Sequence, residues 1–387
     1  MIAVSIVLSL VLLGSAIYAV LSIIAAYFQT RASHNGTNRL CYAQTRIKGG
    51  EIPISVLKPL SGNEPFLERN IRSFFEQDYT NFELLFAVRR EDDAAAGIVR
   101  RLRDEYPHVR SRLFFTGEPP YANAKVFSLS KMTALAEYEW LVMSDSDVRV
   151  SGDFLRRLSA EFASGRYDLA TCPYRAIPSR SPWSLLEALG MNTEFWSTAF
   201  VAKLVEGVRF TIGPTVAARR SVFAAIPWQS LSSFLAEDFV LGQRAAAAGF
   251  RVDLSQVVVE HHLSDESMAE NLSHRLRWAR STRRSRPLGY VGQLFTNPLP
   301  MALAVVALNR RLWPALAVTA VLRAASGYFT ACALGDTLTR GKWWLVPIQD
   351  LLSFLFWIAG FTGNHIAWRG RRYRLRRDGT FELKTES

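Results

Sequence analysis

The N-terminal stretch constrains this chain more than any other feature. Met1 to Thr30 holds no charged side chain, and its run VSIVLSLVLLGSAIYAVLSIIAAYF spans residues 4–28. A helix needs about 20 apolar residues to cross a bilayer core, so the run is long enough. A cleaved leader places its basic residues before the apolar run, whereas here Arg31, Arg39, Arg46 and Lys48 follow it. Residues 1–30 are therefore expected to be a transmembrane anchor. The positive-inside rule then puts the chain beyond it in the cytoplasm, against the inner membrane if the source is bacterial.

The C-terminal third repeats the pattern. Leu312–Gly335 is interrupted only by Arg323, and Trp343–Trp368 only by Asp350 and His365. Both are expected to span, with the two polar groups of the second facing protein or a polar cavity. Leu288–Leu308 is uncharged but contains Pro298 and Pro300, which suits an interfacial or re-entrant segment. Residues 287–368 are thus read as a membrane region and 369–387, with RGRRYRLRR, as a basic cytoplasmic tail. The polar stretch 31–50 reads as a linker.

Forty-six Lys+Arg against 34 Asp+Glu leave a net charge of +12. The basic residues cluster beside apolar runs without a nucleic-acid-binding motif, so the lipid bilayer is the expected partner and nucleic acid is not. Cys41, Cys172 and Cys332 are widely separated, which argues against a structural zinc or a disulfide framework.

Residues 51–286 alternate apolar runs with amphipathic stretches. Strands are expected at Ile52–Leu57, Phe82–Val88, Leu113–Phe115 and Trp140–Met143, with helices at Asn63–Gln77, Ala94–Tyr106 and Lys125–Glu137 between them. That alternation predicts an α/β domain with a parallel sheet, and ligands bind beyond the carboxyl ends of such strands. Arg89-Arg90-Glu91-Asp92-Asp93 follows one strand and Ser144-Asp145-Ser146-Asp147 another. An Asp-x-Asp so placed offers hard oxygen ligands to Mg²⁺ or Mn²⁺, which in turn grips a diphosphate; a solvated turn or helix cap is the plain alternative. Asp238 opens a further helix, where a carboxylate either caps it or takes a proton from an acceptor hydroxyl. Asn271–Pro287 holds six arginines and Trp278. It reads either as a basic helix on anionic lipid or as a source of Arg277 for a diphosphate. The aromatic-rich helix Trp183–Phe200 either lines the acceptor entrance or, as an apolar helical stripe usually does, packs as core or membrane contact, and His261-His262 lacks further spaced metal ligands.

In order, VLKPLSG (56–62), Asp92-Asp93, ANAKV (122–126), DSDVRV (145–150), AEDFVLGQRAAAAGFR (236–251), Arg277-Trp278 and WRGRRYRLRRDGT (368–380) resemble the ceramide glucosyltransferase family. This is glycosyltransferase family 21, family-2-like with a GT-A fold, and the likeness includes its bacterial, hopanoid-associated branch. His274 stands where that family usually has Gln or Arg. The resemblance implies a GT-A domain at 51–286 and a membrane-bound, inverting, UDP-sugar-dependent hexosyltransferase. Its sugar would be glucose or N-acetylglucosamine, and its acceptor a membrane lipid, ceramide or hopanoid. It implies Asp238 as catalytic base and Asp145 and Asp147 on Mg²⁺ or Mn²⁺. It further implies Asp92, Asp93, Lys125, Asp145, Arg277 and Trp278 at the donor. A processive polysaccharide synthase would need more spanning helices for a polymer channel. A non-enzymatic membrane-surface protein would have no use for the carboxylates at strand and helix ends.

Overall fold

A computed structural model describes residues 2–43, 51–368 and 371–383. The strands are β1 (Ile54–Pro59), β2 (Phe82–Val88), β3 (Ser111–Phe115), β4 (Trp140–Ser144), β5 (Val148–Arg149), β6 (Leu169–Thr171), β7 (Tyr174–Ile177), β8 (Thr215–Arg219), β9 (Val252–Leu254), β10 (Val259–His262), β11 (His365–Trp368), β12 (Arg371–Leu375) and β13 (Phe381–Leu383). The first nine helices are α1 (Ile2–Ala43), α2 (Leu67–Phe75), α3 (Ala94–Glu105), α4 (Ala124–Leu135), α5 (Phe154–Ala163), α6 (Pro182–Gly190), α7 (Trp196–Glu206), α8 (Arg220–Ala225) and α9 (Glu237–Ala247). After them come α10 (Met268–Ser285), α11 (Pro287–Gly292), α12 (Leu299–Leu308), α13 (Trp313–Ala333), α14 (Leu338–Lys342) and α15 (Val346–Gly360).

The expected α/β domain is present. Its central sheet runs β3-β2-β1-β4-β8-β6-β9. Successive side chains of a strand point to opposite faces, and the two faces fill separately. Val56, Leu84, Phe86 and Val142 meet Ile71 and Phe74 of α2, Val99 of α3 and Leu155 of α5. Leu57, Leu85, Leu141 and Met143 meet Val126 and Leu129 of α4, Val222 of α8 and Leu241 of α9. Burial on both faces is what a parallel sheet requires, and every residue of β2 is buried. The sheet is not wholly parallel: β8 runs antiparallel to both β4 and β6. The chain reaches β8 from α7 without a crossover over the sheet face, so the handedness argument for parallel pairs does not apply to it.

Among the described residues, three helical stretches are long and apolar enough to span a membrane: Ile6–Ala32, Arg310–Ala333 and Leu338–Gly360. The Pro-containing segment is bent by 53° between Pro287–Phe295 and Leu299–Leu308. Ile6, Leu10, Leu13 and Ile17 point outward from α1, while its other face packs on α7, α12 and α13. Tyr18 Oη lies 2.7 Å from Ser197 Oγ, and Ser326 Oγ donates to Ser22 Oγ at 2.8 Å. The helix continues to Ala43, through the first part of the stretch read as a linker; residues 44–50 of that stretch lie outside the described residues.

The run expected to span as far as Trp368 stops being helical at Gly360. Gly363 turns it with a φ of +70°, and β11 follows. The described part of the basic tail does not hang free. β11, β12 and β13 form an antiparallel sheet, and Phe381 N donates to Ser233 O at 2.9 Å. The arginines of α10 are equally occupied. Arg280 Nε donates to Thr362 O and Arg283 Nη2 to Gly363 O, both at 3.0 Å, while Arg284 reaches Asn364 Oδ1. These cations satisfy carbonyls of the turn that follows α15, just past the negative end of its dipole. The basic stretch thus binds protein carbonyls with groups that the composition assigned to lipid.

Candidate active site

The parallel strands β1 and β4 end in register, Leu57 beside Met143. The loops leaving these two strands therefore emerge at one edge of the sheet. The N-termini of α4 and α9 converge on the same edge. Asn123 caps α4 by accepting from Val126 N at 3.2 Å, and its amide donates to Phe234 O at 3.0 Å and Glu237 Oε2 at 3.3 Å. One side chain so ties together the helix ends that present Lys125 and Asp238. A cavity of about 1030 Å³ opens there, lined by Lys125, Asp145, Asp147, Glu237, Asp238 and His261. The far wall comes from the membrane region and includes Gln293, Asn297, Gln349, Ser353 and Phe356.

Lys125 Nζ lies 2.7 Å from Asp145 Oδ1 and 3.5 Å from Glu237 Oε1. Burial alone would lower this ammonium, but Asp145, Glu237 and Asp238 outweigh it and hold Lys125 above the ordinary lysine range. Burial raises the carboxyls of Asp145 and Asp238, and pushes Glu237 up to about 7. Asp147 goes the other way: His261 Nε2 at 3.1 Å overcomes the effect of burial and lowers it. Gly213 leaves room for Asp238, since a Cβ there would stand 3.0 Å from Asp238 Oδ2 and 3.4 Å from Lys125 Nζ.

The Asp-x-Asp pair suits a divalent cation. Asp147 Oδ1 is buried with no hydrogen-bond partner among the described residues, so one hard oxygen donor is left with its lone pairs unused. Asp145 shares its carboxylate with Lys125. Also on the cavity wall, Glu187, Glu266 and His274 bring their ligand atoms within 4.8 Å of one another. His274 Nδ1 is 3.2 Å from Glu187 Oε1, and its ring meets Trp278 edge-on at 5.2 Å.

The expected residues do not all converge. Lys125, Asp145, Asp147, Asp238, Arg277 and Trp278 line the cavity. Asp92 and Asp93 do not: Asp92 is exposed and paired with Arg90 at 2.9 Å. Asp93 caps α3, accepting from Ala95 N at 2.9 Å, and also accepts from Gly62 N at 2.9 Å. Its effect on the cavity passes through the neighbouring lining residue Ser61, and the lining residue from the end of β2 is Arg89. Sequence reasoning passed over Lys58, whose only signal was its place in VLKPLSG. It is fully buried, donates to Asp145 O at 2.6 Å, and is lowered by burial to about 7. The same reasoning weighed His261 only as a metal ligand and missed its pairing with Asp147, which is remote in sequence. Trp183–Phe200 lies in one continuous helical run, in which α6 and α7 are joined through a π-helical turn, Met191–Phe195. Such turns recur at functional sites, and Glu194 and Phe195 of this one line the cavity.

The family model described as Glycosyl transferase family 21 matches residues 14–381. Ceramide glucosyltransferase 3 of Caenorhabditis elegans is 23% identical over 83% of this chain and 72% of its own length. Ceramide glucosyltransferase 1 of the same organism is 36% identical over 26% of this chain and 22% of its own. Among solved structures, a mannosyltransferase from Pyrobaculum calidifontis in complex with GDP-Man and Mn²⁺ is 16% identical. It superimposes with a TM-score of 0.49, covering 88% of this chain and 97% of that one.

Proposed function

Because the chain belongs to glycosyltransferase family 21, we propose that it is a membrane-bound inverting glycosyltransferase. It moves glucose or N-acetylglucosamine from a UDP-sugar to the hydroxyl of a membrane lipid, ceramide or a hopanoid. The observation that carries this reading is a single cavity lined both by Lys125, Asp145, Asp147 and Asp238 and by side chains of the membrane region. A water-soluble donor and a lipid acceptor can meet only in such a space.

In this reading the donor lies at the sheet edge, with Lys125 and Arg277 facing the diphosphate. A planar guanidinium and a buried ammonium neutralise charge that grows on the leaving group, which is where electrostatic stabilisation is worth most. Asp145 and Asp147 would hold Mg²⁺ or Mn²⁺. When bound, the cation supplies Lewis-acid stabilisation of the diphosphate oxygens. Asp238 accepts the proton of the lipid hydroxyl as its oxygen bonds to the anomeric carbon from the face opposite the diphosphate. The bond to UDP breaks and configuration inverts. Glu237 and Lys125 surround this base with one acidic and one cationic neighbour. Asp93 positions the Ser61–Gly62 loop beside the nucleotide, and Trp278 packs against Phe195 at 6.3 Å. The catalytic domain faces the cytoplasm, where UDP-sugars are made.

The test offers membranes holding the full chain labelled UDP-glucose or UDP-N-acetylglucosamine, with ceramide or a hydroxylated hopanoid. Lipid-extractable label that depends on Asp238 is expected. Absence of labelled lipid from every combination would overturn the reading.

A further inference from the structure

Two buried amides on the membrane side of the cavity are half satisfied. Asn297 and Gln349 are each 1% exposed. Both line the cavity that holds Lys125 and Asp238. Neither Asn297 Oδ1 nor Gln349 Oε1 has a hydrogen-bond partner among the described residues. The orientation of Asn297 is fixed by what its nitrogen meets. Asn297 Nδ2 donates to Glu194 Oε1 at 2.7 Å and to Thr296 Oγ1 at 3.1 Å. A carboxylate only accepts, so the amide nitrogen must face Glu194 and the oxygen must face away. Gln349 Nε2 donates to Ser353 Oγ at 2.9 Å, while Arg275 Nη2 approaches the same oxygen at 3.4 Å.

Both amides flank the π-helical turn. Glu194 belongs to it, and Gly190 just before it leaves space that any larger residue would take from Gln349. Buried polar atoms are nearly always paired, so two orphaned carbonyl oxygens on one cavity ask for donors from outside the protein. We propose that Asn297 and Gln349 form an acceptor-recognition subsite. Their amide oxygens accept hydrogen bonds from two donors, hydroxyl or amide N–H, that flank the reacting hydroxyl of the lipid. The inference rests on the glycosyltransferase reading above and narrows its acceptor to lipids with a multiply donating polar end. Ceramide, with a secondary hydroxyl and an amide N–H beside its primary hydroxyl, belongs to that class; a lipid with one isolated hydroxyl does not.

The full chain in lipid nanodiscs is assayed with a fixed UDP-sugar against matched acceptors. These are ceramide, N-methyl ceramide, 3-deoxy ceramide, a hopanoid polyol and a hopanoid mono-alcohol. Deleting one donor leaves a buried oxygen unpaired, so kcat/KM is expected to fall about tenfold or more for each donor removed. In Gln349→Met, one of the two deletions should lose its penalty while the KM for the UDP-sugar stays unchanged. Equal transfer to single-hydroxyl and multiply donating acceptors by the unmodified protein would show these oxygens to be satisfied by water, and would overturn the subsite alone. Transfer to no acceptor would overturn the catalytic reading, and the subsite with it. A polyol hopanoid preferred over ceramide would keep the subsite and identify its occupant as a polyol.

Discussion

Arg323 and Asp350 form an ion pair inside the membrane region whose worth can be worked out. Arg323 Nε lies 2.9 Å from Asp350 Oδ2 and Nη2 lies 2.8 Å from Oδ1, with side chains 5% and 0% exposed. The remaining face of Arg323 donates to Thr193 Oγ1 in the π-helical turn at 3.1 Å. Asp350→Leu would strand a guanidinium with one neutral partner, and breaking one side of such a buried pair costs about 3–5 kcal/mol. Replacing both, Arg323→Leu with Asp350→Leu, removes the stranded charge as well as the attraction. It is expected to cost less than either single change despite the lost bond to Thr193. Thermal unfolding of the full chain in nanodiscs, followed by tryptophan fluorescence, measures all three variants. A double variant destabilised by the sum of the two singles would refute the argument, because it would mean that the two side chains contribute independently.

Four further outcomes are expected. Asp238→Asn should lower kcat by about 10²–10⁴ and leave UDP-sugar binding near normal, read by single-turnover transfer and a binding titration. Burial raises Asp238 above its ordinary value of 3.8. A base works only when ionised, so activity should fall as pH drops through that raised value, and the residual activity of Asp238→Asn should lack this acid limb. Asp147→Ala should weaken the Mg²⁺- or Mn²⁺-dependent part of UDP-sugar binding, and calorimetry with and without chelator reads the difference. Asp93→Ala removes a helix cap and the hold on Gly62, so it should cost about 1 kcal/mol of stability by denaturant unfolding and raise the KM for the UDP-sugar with kcat largely retained.

Much of the sheet was legible because its strands are short runs of apolar residues. Phe82–Val88 begins and ends where its pattern does. β8 was not legible, since nothing in Thr215–Arg219 encodes its direction against β4. The aspartates after β4 and at the start of α9 were readable from position and family likeness together. Asp93 was read only as a donor ligand, from family likeness, and its bond to Ala95 N is a capping one. The membrane-side amides left no trace in the sequence. Asn297 and Gln349 lie in stretches whose hydrophobicity masks single polar residues, and the π-helical turn has the composition of an ordinary helix. Pairings such as Asp147 with His261 depend on folding alone.

The guanidinium groups of α10 that grip the end of α15 have a practical corollary. Arg277 and Trp278 sit on a rod held to the turn after α15, which with α14 is long and apolar enough to cross a bilayer, so a tilt of α15 is expected to shift the rod as well. Trimming the gene to its water-soluble middle would leave Arg280, Arg283 and Arg284 without their carbonyls and the rod without a bearing. Turnover is therefore expected to vary with the detergent or lipid mixture that surrounds α15.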